Sequence, residues 1–104
     1  MSQDPTFFPD LTRAISRHVA TLQAGQPDAM RGFRQLSDGA MAAGEVSAKT
    51  KELIALAIGI AGHCDGCIGF HAKALVAMNA TRAEIEETIA VAVYMGGGPS
   101  LMYG

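Results

Sequence analysis

Apolar residues recur at helical spacing along most of this chain. Leu11, Ile15, Val19 and Leu22 fall every three or four positions, which predicts a first helix from about Asp10, its expected cap, to about Ala24. Gly25, Gln26 and Pro27 end it. Ahead of it, Phe7 and Phe8 read as an anchor laid onto the core. A second helix, about Asp28 to Ala43, presents Met30, Phe33, Leu36 and Met41, although Gly32 and Gly39 weaken it. Ser47 is a good cap for a third helix, Ala48 to about Ala61. Its segment LIALAIGIA is apolar on every side, the pattern of a helix buried all round. Alanine and leucine outnumber β-branched residues there, which argues against a strand.

Gly62 and His63 form the next turn, and a fourth helix begins within Cys64–Cys67 and runs to Met78. Asn79 can take the left-handed position that ends it. Thr81 and Glu84 make a capping box for a fifth helix, which follows Ile85, Ile89, Ala92 and Val93 to about Met95. Gly96, Gly97 and Gly98 break the chain, and Pro99 suits the first turn of a further helix. The sequence stops five residues after Pro99, which suggests a longer natural chain or a last segment packed on a neighbour. The fold class is therefore all-α, with five to six helices around a central antiparallel hairpin made by the third and fourth.

Length and charge narrow the picture. A chain of 104 residues is one domain, 1–104, near the lower end of what buries a comfortable core. With 49% hydrophobic and 17% charged residues, part of its apolar surface is expected to meet another subunit. A net charge of −2 without a basic run gives no footprint for nucleic acid. The start, MSQDPTFFPD, has no signal-peptide features, and no apolar run reaches the roughly 18–20 residues of a membrane span. The cytoplasm is the expected location. There a CxxC pair is more often redox-active or metal-binding than a structural disulfide.

Candidate chemistry gathers between Glu52 and His71. Cys67 and His71 stand four apart, so on a helix they share one face at about 6 Å. Cys64 lies a turn earlier, at a helix start, where free amides and the dipole favour a thiolate. If the hairpin turns near residue 63, His71 faces Ala55, and Glu52 is offset from it by only about 4.5 Å along the axis. Glu52, His71 and Cys67 then have the form of base, relay and thiol. His63 is a second candidate proton donor at the mouth. Two reduced cysteines packed as small hydrophobes are the plain alternative. A zinc site from Cys64, Cys67, His71 and His63 or His18 lacks a second CxxC or HxxxH half. A c-type haem site is excluded because residue 68 is Ile. His18 and the methionines read as structural.

These residues carry a family resemblance. Ser47, Lys49 and Lys51-Glu52-Leu53-Ile54-Ala55-Leu56-Ala57, followed by Cys64-x-x-Cys67-x-x-x-His71 and Gly96-Gly97-Gly98-Pro99, resemble the carboxymuconolactone decarboxylase family. Within it, the similarity is to the AhpD-like alkylhydroperoxidase branch. It covers about residues 28–104 as a family core, leaving 1–27 as an N-terminal segment and first helix. The resemblance implies an all-α homotrimer or homohexamer in which the cysteines are a redox pair and the glutamate and histidine relay protons. Glu52, Cys64, Cys67 and His71 carry over as catalytic residues. In that branch a histidine stands immediately before the second cysteine, where this chain has Gly66.

The expected function is a thiol-dependent peroxidase or disulfide reductase. It needs no bound cofactor or metal, a small peroxide or disulfide as substrate, and an external dithiol reductant or partner peroxidase. Proximity to His71 favours Cys67 as the attacking thiol, whereas exposure and the helix start favour Cys64. The alternatives are a decarboxylase-like lyase using Glu52 and His71 as acid and base, or a zinc-binding helical oligomer without activity.

Overall fold

The computed structural model describes residues 4–104. In chain order these form α1 (Phe7–Gly25), α2 (Pro27–Met41), α3 (Ala48–Ala61), α4 (Asp65–Ala77), α5 (Arg82–Gly96) and α6 (Gly98–Tyr103). No strand occurs among the described residues. The all-α class and the helical hairpin are both present.

Local chemistry sets most of the boundaries. The Ser47 hydroxyl accepts the Thr50 N–H at 3.1 Å and starts α3. At α5, Thr81 Oγ1 accepts the Glu84 N–H at 3.1 Å while Glu84 Oε1 accepts the Thr81 N–H at 2.8 Å, closing the capping box. Asn79 adopts φ 58°, and the Ala80 N–H reaches back to the Leu75 carbonyl at 3.0 Å, so α4 ends in a left-handed turn.

One boundary differs from expectation. Asp10 does not cap α1; the helix begins three residues earlier, at Phe7, after Thr6. Asp4 organises that start, its carboxylate accepting both the N–H and the hydroxyl of Thr6 at 2.9 Å. Pro9 then sits inside the first turn, where a missing N–H costs nothing. Asp10 pairs with Arg13 along the helix surface instead.

Helix α3 packs between α4 and α5. Lys49 near its start reaches Glu84 near the start of α5 at 2.7 Å, and Ala61 at its end lies against Gly96 at the end of α5. The two helices therefore run in the same direction, with α4 returning against them. Leu56 and Ile60 of α3, Ile68 and Leu75 of α4 and Ala92 of α5 make the core, with Phe8 packed against it. Phe8 thus anchors α1 as expected, while Phe7 stays outside.

The expectation that α3 is buried all round fails within one chain. Leu56, Gly59 and Ile60 are buried, but Ile54 is 49% exposed and Ile58 67%. On α2, Phe33 and Leu36 are likewise exposed, leaving only Met30 and Met41 half-buried. Six short helices supply too little interior for every apolar stripe.

Candidate active site

The turn between α3 and α4 brings the chemistry together. The Gly62 N–H closes the end of α3 on the Ile58 carbonyl at 2.7 Å, and His63 turns the chain at φ 55°. The Cys64 N–H then returns to the Gly59 carbonyl at 2.9 Å. Cys64 is the N-cap of α4: its Sγ accepts the Cys67 N–H at 3.1 Å, the role a serine hydroxyl plays elsewhere. Cys64 and Cys67 are joined in a disulfide with their Cα atoms 5.2 Å apart.

One turn further along α4, His71 Nδ1 lies 2.7 Å from Glu52 Oε2 on α3. The Glu52 side chain is only 13% exposed and that of His71 29%, so the carboxylate finds its partner largely out of water. An ionised Glu52 can only accept, which assigns the proton to Nδ1 and leaves Nε2 with its lone pair free. The hairpin thus joins a carboxylate of α3 to an imidazole on the helix that carries the disulfide. Cys64 and Cys67 open α4, and His71, one turn after Cys67, meets Glu52 of α3.

His63 lies at the turn before Cys64. Its ring stacks on Tyr103 of α6, centroids 4.6 Å apart and planes 6° from parallel. Tyr103 is a residue that sequence reasoning missed, because nothing local marks a contact spanning the whole of α4 and α5. Beside this stack lies a cavity of about 470 Å³, walled by Phe7, Phe8, Ile68 and Met102 together with Asp65 and Tyr103. Asp65 and Ile68 each adjoin one cysteine in the chain, so the cavity reaches the foot of α4.

The glycine at residue 66 has a structural reason. A Cβ there would meet Ile15 Cδ1 of α1 at 2.8 Å. A methyl group there needs only the tip of Ile15 to move, whereas a histidine brings a ring against α1. Among the described residues no three His, Cys, Asp or Glu side chains gather as they would to hold a metal ion. No helix among them is long and apolar enough to cross a membrane.

Comparison with known proteins agrees with this architecture. A crystal structure of a carboxymuconolactone decarboxylase family protein from Legionella pneumophila, in its apo form, superposes with a TM-score of 0.92. It is 48% identical, over 94% of this chain and 88% of that one. An uncharacterised protein from Cupriavidus necator is 38% identical across 86% of this chain and 79% of its own length. Another, from Haemophilus influenzae, is 29% identical across 65% of this chain and 60% of its own. The sequence model of the carboxymuconolactone decarboxylase family matches residues 27–104, from the start of α2 to the last residue. This chain belongs to the carboxymuconolactone decarboxylase family.

Proposed function

We propose that this protein is an AhpD-like thiol-dependent peroxidase or disulfide reductase that cycles the Cys64–Cys67 pair. The observation that carries the reading is the 2.7 Å bond from Glu52 of α3 to His71, on the helix that bears the disulfide. A bare pair of structural cysteines has no use for a carboxylate-oriented imidazole one turn away.

In the reduced protein, His71 Nε2 takes the proton of the Cys67 thiol, and Glu52 stabilises the imidazolium. The thiolate attacks the terminal oxygen of an organic hydroperoxide. The O–O bond breaks, sulfur gains the oxygen as a sulfenic acid, and the leaving alkoxide takes the proton from His71. The Cys64 thiol then attacks the sulfenic sulfur, releasing water and closing the disulfide. Two thiols of an external dithiol reductant reopen it by exchange and leave oxidised themselves. The Cys67 N–H that points at Cys64 Sγ favours a thiolate there, which suits Cys64 to this exchange step. When a disulfide rather than a peroxide oxidises the pair, the same cycle serves a separate peroxidase.

The apolar walls of the 470 Å³ cavity favour a substrate with a hydrocarbon body. The exposed Ile54 and Ile58 on α3 and Val91 and Met95 on α5 support a homo-oligomer.

The test is to reduce the protein and titrate its thiols with an alkylating reagent across pH. Free thiols are then counted before and after one equivalent of cumene hydroperoxide. Joint loss of both thiols to a reducible disulfide supports the reading. Two thiols that stay free both with the hydroperoxide and with a small disulfide oxidant would overturn it, and lactone turnover surviving Cys64→Ser and Cys67→Ser would put the lyase in its place.

A further inference from the structure

Gly59 lies on the face of α3 that meets the first turn of α4, and it touches both cysteines in different ways. Its carbonyl accepts the Cys64 N–H at 2.9 Å. Its missing side chain leaves room for Cys67: a Cβ on Gly59 would stand 2.9 Å from Cys67 Cβ and 3.6 Å from the Ile68 nitrogen. Two Cβ atoms do not approach so closely, and neither can swing aside, because each is fixed by its own backbone. Gly59 is buried in the last turn of α3, where alanine would be the better helix former. The close approach explains why a glycine stands there.

We infer that Gly59 is a positioning residue that sets the redox poise of the Cys64–Cys67 pair, an inference that rests on the thiol–disulfide reading above. Its carbonyl holds Cys64 against α3 while its bare Cα lets Cys67 come in beside it. A methyl group at residue 59 pushes Cys67 outward, and Cys64 cannot follow because its amide is tied to the carbonyl of that same residue. The two cysteines are driven apart. The closed disulfide resists that separation, whereas the open dithiol accommodates it, so the substitution favours the reduced form.

The experiment equilibrates unmodified protein and Gly59→Ala in glutathione buffers and measures the oxidised-to-reduced ratio by alkylation and mass spectrometry. The expected result is a ratio about tenfold lower in Gly59→Ala at the same buffer, equivalent to about 30 mV. A ratio within twofold of the unmodified protein overturns the inference. Gly69→Ala, on α4 with Cys67, is the control. A Cβ there meets Thr12 Cγ2 of α1 at 2.8 Å, so it disturbs α4 from another side. It should lower Tm and leave the ratio unchanged; an equal shift in Gly69→Ala would show that any displacement of α4 suffices and overturns the inference.

If Gly59→Ala does not fold, amide exchange at Cys64 in the unmodified protein decides. Clamp and disulfide support one another, so the Cys64 N–H should exchange about tenfold faster in the reduced protein. Equal rates in the two states overturn the inference. Because the ratio is read without a peroxide, it separates this inference from the proposed function. A shifted ratio without peroxide-driven oxidation keeps Gly59 and removes the peroxidase; peroxide turnover with an unshifted ratio does the reverse.

Discussion

His71 and Glu52 are nineteen residues apart in the chain and 2.7 Å apart in space. The carboxylate fixes the imidazole tautomer that can act as a base. Glu52→Gln keeps the shape of the side chain and removes the charge that stabilises an imidazolium. The expected result is a fall of about tenfold to hundredfold in the rate of peroxide-driven thiol loss, followed by stopped-flow alkylation. Tm should change little. An unchanged rate would remove Glu52 from the relay.

Gly66 and Ile15 pack α1 onto the first turn of α4. Gly66→Ala should be close to neutral, because the tip of Ile15 can move and alanine is the better helix former. Gly66→His should cost about 1–3 kcal/mol, the scale of an overpacked site. Thermal melts of the two variants make the comparison. Equal stability of both would show that α1 yields freely.

Lys49 sits 2.7 Å from Glu84 and, with the Thr81 amide, holds the Glu84 carboxyl down from 4.5 to about 2. A depressed acid stabilises the fold above its unfolded value and loses that contribution as pH falls through its folded one. Between about pH 4.5 and pH 2 the unmodified protein should therefore lose stability more steeply than Glu84→Gln. Both side chains are about one-third exposed, so added salt should shrink the difference. Urea melts across that window measure it, and parallel pH profiles would refute the pairing.

Ile58 is 67% exposed on a helix whose other side is the core. If this stripe meets a second copy, Ile58→Glu should raise the dissociation constant about thirtyfold or more, the scale of a lost interface anchor. Light scattering over a dilution series reads the mass directly. A protein that is monomeric before the change would end the oligomer proposal.

What the sequence revealed depended on distance along the chain. Ser47, Thr81 and Asn79 act on backbone groups within a few residues, so their roles could be read directly. Glu52 and His71 were within reach because a short turn makes hairpin register a matter of counting. Asp10 misled because a proline before a short acid looks like a helix start, and Phe7 to Pro9 give no sign that they are already helical. Ile58 misled for another reason: periodicity records that a residue is apolar, not that one small chain has room to cover it. The stack of His63 on Tyr103 and the fit of Gly59 against Cys67 depend on how helices meet, and a glycine or tyrosine alone does not announce a partner.

The disulfide spans only two intervening residues, both in the first turn of a helix. In the chain-entropy account, closing so small a ring restricts the unfolded chain by only about 2 kcal/mol, well below what a bridge across the whole protein would contribute. Leu56, Ile60 and Leu75 pack the interior without reference to it. Opening the bond therefore leaves the rest of the molecule standing. The crosslink is a poor staple for this protein, and a bond that the fold does not depend on is one that the proposed cycle could break and remake.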